Sequence, residues 1–246
     1  MSDRGPLTSL LVASGTVVAL VGGLVLTGMA FPDLVSRHVA PLFLYLPGPG
    51  PLVHADPADY GLSGGEELRL TTSDGVEIHG WWVPAAGSDA CGTVVFFHGN
   101  AGSLVGRAFL ADRLASEGFH TLLVDYRGYG KSEGSPHEQG LYLDARAAWR
   151  HAVEARGTPP ERLVVAGHSL GSAVAARLAS ERPVGAAVLT GAFTTVPELA
   201  AEAYGWLPDA VFRGWSTNRF ETVRRVGEID APVLVARGGR DRLVPR

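Results

Sequence analysis

From Glu66 onward the chain alternates short apolar runs with longer stretches whose apolar positions recur at helical spacing. Val94 to Phe97, Thr121 to Val124, Leu163 to Ala166, Ala186 to Leu189 and Val233 to Ala236 have the length of strands. Ser103 to Glu117, Glu138 to Arg156, Leu170 to Glu181 and Phe220 to Val226 read as helices. Ahead of them, Glu67 to Thr71 and Val76 to Val83 flank Ser73-Asp74-Gly75, a hairpin with its turn at Asp-Gly. Such alternation predicts an α/β fold: a mainly parallel sheet entered through an N-terminal hairpin, with helices on both faces and the chemistry at the carboxyl ends of the strands.

The front of the chain follows a different pattern. Residues 7–31 carry no charge, and at about 1.5 Å per residue a helix of that length crosses the roughly 30 Å hydrocarbon layer of a bilayer. A cleaved signal peptide competes with an uncleaved anchor, since Gly28-Met29-Ala30 offers small residues for cleavage, but such signals have shorter apolar regions. Arg4 and the amino terminus precede the segment and Arg37 follows, a small imbalance that favours the rest of the chain outside the cytoplasm. Residues 32–65 are rich in proline and glycine and read as a connector. The expected organisation is therefore an anchor or signal over 1–31, a connector over 32–65 and a catalytic domain over 66–246, on a membrane by a single pass.

At 246 residues, 46% hydrophobic and 19% charged, the chain can bury one sizeable core. A net charge of -4 without a basic stripe speaks against nucleic acid as a partner. One cysteine, Cys91, excludes a disulfide within the chain. No pair of histidines has the H-E-x-x-H spacing of a zinc site.

The pattern G-x-S-x-G occurs at Gly61 to Gly65, Gly130 to Gly134 and Gly167 to Gly171, and with 32 glycines the pattern alone is weak. Context separates the three, because the serine must sit between a strand and a helix for its oxygen to project above the sheet. Ser63 and Ser132 lie among polar and proline-containing residues, whereas Ser169 has the run Leu163 to Ala166 before it and Leu170 to Leu178 after it. Ser169 is the candidate nucleophile. Its developing oxyanion needs donors, which the amides of Leu170 and of Asn100, in His98-Gly99-Asn100-Ala101-Gly102, are placed to supply. Asp241, in the glycine-containing loop after Val233 to Ala236, follows the serine in the order expected of an orienting acid.

Together these residues resemble the α/β-hydrolase superfamily from about Phe43 onward, carried by EELRLTTSDGVEIHGWWVP, VVFFHGNAGS, VDYRGYGKSEG, VAGHSLGSAVA and APVLVARGGRDRLVP. Within it the chain resembles the membrane-anchored hydrolases that include the fungal cell-polarity hydrolase and animal α/β-hydrolase-domain proteins, which also look like the serine aminopeptidase type. The resemblance implies an acyl-enzyme on Ser169, Asp241 as the orienting acid, no cofactor, and a small acyl ester or lipid-like substrate. It implies a structural ion-pair role for Arg127. It also implies a cap between Gly191 and Phe220, where Phe193, Tyr204, Trp206, Leu207, Val211, Phe212 and Trp215 either form an acyl pocket or pack helices onto the sheet.

One departure matters. The family carries its catalytic histidine after a further strand beyond the acid, and none of the eight histidines here fills that place. The expectation is that a C-terminal strand, helix and histidine are missing, leaving these 246 residues inactive. The rivals are a catalytically dead hydrolase-fold binding protein on a membrane tether and a serine aminopeptidase.

Overall fold

The computed structural model describes residues 44–48, 56–203, 218–239 and 241. Its strands are β1 (Leu46–Pro47), β2 (Glu66–Thr71), β3 (Glu77–Val83), β4 (Gly92–Phe97), β5 (Ala101–Gly102), β6 (Phe119–Val124), β7 (Leu163–His168), β8 (Ala186–Thr190) and β9 (Val233–Ala236). Its α-helices are α1 (Ala108–Ser116), α2 (Glu138–Arg150), α3 (Leu170–Glu181), α4 (Val196–Ala203) and α5 (Thr222–Val226). Seven strands form one sheet in the order β2-β3-β6-β4-β7-β8-β9. The β2–β3 and β3–β6 pairs are antiparallel and every later pair is parallel.

Alternation along each strand sends side chains to two cores. Ile78, Trp82, Val95, Phe97, Leu122 and Val124 face the core covered by α2 and α3, while Trp81, Val83 and Leu123 face a smaller one closed by α1 through Ala108, Ala111 and Ala115. Helices thus cover both faces, as the β-α alternation predicts. Two expected helices are subdivided. The stretch Ser103 to Glu117 begins with a 3₁₀ turn over Leu104–Arg107, and Glu138 to Arg156 finishes in a π-helical turn over His151–Ala155.

The connector stretch contains more order than its proline and glycine content suggests. β1 pairs in parallel with β5 to make a separate two-stranded sheet, and Tyr45 is buried in the larger core. Pro57–Tyr60 form a 3₁₀ turn capped by the Asp56 carboxylate, and Leu62 is buried under Trp81 in the smaller core. Packing against the sheet compensates here for the missing local periodicity. Residues 7–31, expected as an anchor or signal, lie outside the described residues. Among the described residues no helix is long and apolar enough to cross a membrane.

Arg127 is the structural ion-pair partner that the sequence suggests. Its guanidinium reaches Asp144 on α2 through Nε at 3.0 Å and Nη2 at 2.9 Å, and Asp74 in the β2–β3 turn through Nη1 at 2.8 Å. A hairpin, a loop and a helix are tied at one buried charge.

Candidate functional site

Ser169 stands alone between the last residue of β7 and the first of α3, with φ 52° and ψ -117°. A side chain costs energy in this left-handed region, and among the described non-glycine residues only Phe220 joins it there. The surrounding bonds hold the turn in place. The Ser169 amide donates to the Thr190 carbonyl at 2.9 Å, and the Ser169 carbonyl accepts from the amide and hydroxyl of Ser172 at 2.9 and 2.6 Å. Gly167 and Gly171 make the turn possible: a Cβ on Gly167 would come closer than 3.0 Å to the Gly171 carbonyl, and one on Gly171 would approach the Phe97 carbonyl as closely. The start of α3 therefore rests directly on the ends of β7 and β4, with the half-buried serine held above them.

The loop after β4 lies beside this turn. A Cβ on Gly99 would stand 3.6 Å from Ser169 Cβ and 3.4 Å from the His168 carbonyl, so the His98–Asn100 backbone passes within contact distance of the candidate nucleophile. Three successive carbonyls of that loop are held by donors. Tyr126 donates to His98 O at 2.7 Å, His98 Nδ1 lies 2.7 Å from Gly99 O, and Tyr129 donates to Asn100 O at 2.9 Å. Burial pushes both tyrosine hydroxyls well above their ordinary pKa, which keeps them protonated and donating. The Leu46 amide adds a second hold on Asn100, 3.3 Å from its carbonyl and 3.0 Å from its side-chain oxygen. Among the described residues no carbonyl engages the Asn100 or Leu170 amide. Ser169, Asn100 and Leu170, singled out separately in the sequence, are brought together at the carboxyl ends of β4 and β7.

Asp241 is half-buried past the end of β9, two strands from β7. Its amide donates to Gly238 O at 3.0 Å and its carbonyl accepts from Arg237 at 3.2 Å; Gly191, after β8, bonds the last carbonyl of β9 at 2.9 Å. The acid candidate is thus at the same edge of the sheet as the serine.

The two other G-x-S-x-G serines have different settings. Ser132 donates to the Asp125 carbonyl and accepts from the His79 amide, both at 2.8 Å, and so ties its loop to β3. Ser63 is exposed in a turn. Each described histidine ring is also occupied: His79 by Asp125, His98 by Gly99, His120 by the Ala85 amide, His137 by Ser135, His151 by Arg156 and His168 by Thr190. His38 and His54 lie outside the described residues. So do the aromatic residues from Tyr204 to Trp215 of the expected cap; of that stretch Phe193 packs into the larger core, and α4 is a helix that the sequence reading does not anticipate. A surface concavity of about 530 Å³ lined by Ser73, Leu143, Arg146, Arg150, Glu181 and Arg182 shares no residue with these loops.

Sequence reasoning missed the groups that stand behind the loop after β4. Asp125, Tyr126 and Tyr129 come from one short segment after β6, and His79 from β3. The rings of His98, Tyr126 and Tyr129 pack on one another at centroid distances of 4.6 to 5.7 Å. The spacing of aspartate and tyrosines in VDYRGYGKSEG is the signal that could have located them.

Residues 92–226 match the family described as the alpha/beta hydrolase fold. An uncharacterized protein of Mycobacterium tuberculosis is 39% identical over 202 residues, covering 82% of this chain and 70% of its own length. The lysophosphatidylserine lipase ABHD12 of Danio rerio is 32% identical over 227 residues, which are 77% of this chain and 58% of the relative. Among solved structures, the Pyrococcus furiosus esterase Pf2001 superposes with a TM-score of 0.63 at 24% identity, covering 81% of this chain and 79% of the esterase.

Proposed function

Because the chain belongs to the α/β-hydrolase fold family, we propose that it is a serine hydrolase that cleaves carboxylic ester-type bonds through an acyl-enzyme on Ser169. The observation that carries this reading is the strained Ser169 conformation between strand and helix, with the Gly99 backbone alongside. In the proposed sequence, Ser169 Oγ attacks the acyl carbonyl while its proton passes to an imidazole from outside the described residues. Asp241 orients that imidazole. The amides of Asn100 and Leu170 bind the oxyanion, and the position of Leu170 at the start of α3 adds the positive end of the helix dipole. The leaving alcohol takes the proton, and water then releases the acyl group and restores Ser169. The lipase among the relatives supports a lipid-like ester as substrate.

A fluorophosphonate probe added to the full-length protein should attach covalently at Ser169. Ser63→Ala and Ser132→Ala should leave that labelling intact, and labelling that survives Ser169→Ala would sink the assignment. A chain that never labels would favour a binding protein on a hydrolase fold.

The proposal includes a membrane tether over residues 7–31, supported by their lack of charge. The full-length protein should stay with membranes through alkaline carbonate and high salt and leave them in detergent. Recovery of a mature chain beginning at Phe31 would instead establish a cleaved signal.

A further inference from the structure

Two consecutive residues ahead of the seven-stranded sheet are fastened to parts of the chain far from them in sequence. The Tyr45 hydroxyl donates to Asn218 Oδ1 at 2.9 Å, and the Leu46 amide donates to Asn100, whose Oδ1 lies at 3.0 Å and whose carbonyl oxygen lies at 3.3 Å. Successive side chains of an extended segment point to opposite sides, and here Tyr45 is 3% exposed and Leu46 50%. Tyr45 therefore holds by its side chain and Leu46 by its backbone N–H.

The Tyr45 end is firm. Asn218 Oδ1 also accepts from the Glu138 amide at 2.7 Å, at the start of α2, and the Arg219 amide donates to the Glu138 carboxylate at 2.5 Å. Burial pushes the Tyr45 hydroxyl far above its ordinary pKa, so it stays protonated and able to donate. The Asn100 end is where the hold is needed. Glycines stand at 99 and 102, the latter with φ 88°, and glycine leaves the backbone around Asn100 free to turn.

Tyr129 grips Asn100 by the carbonyl, a single point about which the residue can swing. Leu46 grips the carbonyl and the side chain together. With both of those held, the third heavy-atom substituent of the tetrahedral Cα, the amide nitrogen, is held too. We infer that Leu46, in a strap pinned to the core by Tyr45, is the positioning residue that keeps the Asn100 amide aimed at the oxyanion. The inference rests on the reading of Ser169 as the nucleophile and of the Asn100 amide as an oxyanion donor. A stretch that reads as a connector in the sequence thereby becomes part of what supports the site.

Proline at position 46 removes the N–H, whereas alanine keeps it and removes the solvent-facing side chain. In the full-length protein, Leu46→Pro should lower kcat for an ester about 10- to 100-fold with KM nearly unchanged, and Leu46→Ala should keep kcat within about twofold. The loss is smaller than that of an oxyanion donor removed outright, because Tyr129 still holds the carbonyl. Binding of a trifluoromethyl ketone, whose adduct with the serine carries the oxyanion, should weaken by a similar factor in Leu46→Pro alone; a strap that served only the fold would lower the unfolding midpoint and leave this affinity unmoved. Asn100→Leu keeps the size and the backbone amide but offers no side-chain acceptor, and should show the same split between kcat and KM even if the proline variant fails to fold. Equal kcat and equal inhibitor affinity in Leu46→Pro and Leu46→Ala, or parental kcat in Asn100→Leu, would overturn the inference while leaving Ser169 in place. Turnover indifferent to Ser169→Ala would overturn the underlying reading. In that event a crystal structure of Leu46→Pro would still decide whether the strap sets Asn100, an unmoved Asn100 counting against it and a turned one for it.

Discussion

Ser169→Ala in the full-length protein should lose ester turnover by about 10⁴-fold or more, because nucleophile, base and acid act as a unit. At about 1.36 kcal/mol per tenfold, this is an effect of more than 5 kcal/mol on the barrier. Thermal unfolding should hardly change. The bonds that hold the turn come from the Ser169 backbone, which alanine keeps, and alanine meets the same left-handed φ as serine. Ser169→Gly makes a sharper test. Glycine relieves the strain of φ 52°, a cost of order 1–3 kcal/mol, so this variant should be equally inactive yet more stable than the parent. A nucleophile held in place at the expense of stability would give that pairing; a serine kept for structure would give the reverse. Parallel measurement of ester hydrolysis and unfolding midpoints distinguishes them.

Arg127→Met is expected to destabilise the fold by about 3–5 kcal/mol, the cost of leaving one member of a buried ion pair alone. The stranded partner is Asp144, fully buried on α2, whose two oxygens now accept from the Arg127 backbone amide and guanidinium at 2.9 to 3.0 Å. Burial already raises the Asp144 carboxyl above its ordinary pKa with the arginine in place. A carboxyl raised in the folded state contributes its full stability below the unfolded pKa and loses it as pH rises through the folded one. The deficit of Arg127→Met should therefore be greatest near neutral pH and shrink as the solution is made acid. Arg127→Lys should fall between the two, since a point charge cannot serve Asp144 and Asp74 with one fork. Urea unfolding across pH would measure the effect, and a loss below 1 kcal/mol at pH 7 would contradict it. Asp74→Asn should cost less, because the Asp74 side chain is 39% exposed and its partner keeps Asp144.

What could be read from the chain follows from the range of the interactions concerned. Ser169 was separable from Ser63 and Ser132 because strand, turn and helix are contiguous, and α3 was anticipated residue for residue, from Leu170 to Glu181. The positions of Asn100 and Leu170 came from the order of loop and strand. The backbone strain at Ser169 could not be read, because it arises from bonds to Thr190 and Ser172 and from the collision-free approach of two glycines. The connector was underestimated for a similar reason: Tyr45 and Leu62 are buried by strands distant in sequence, and nothing in their neighbours has a period. Most remote of all was the buried cluster of His98, Asp125 and His79. Asp125 comes from the end of β6 and His79 from β3, and no local pattern links three residues that meet only when a sheet has formed.

The small β1–β5 ribbon also determines how mechanical load enters the molecule. Leu46 is 54 residues from Asn100 along the chain, yet its amide is fastened to that residue rather than to the seven-stranded sheet. Tension applied to the chain ahead of Leu44 divides between two anchors: Tyr45, buried in the larger core with its hydroxyl on Asn218, and the ribbon, where two paired positions and the Leu46–Asn100 bonds join it to the loop beside Ser169. A pull from the front of the chain is therefore transmitted to that loop through Leu46 as well as to the core through Tyr45.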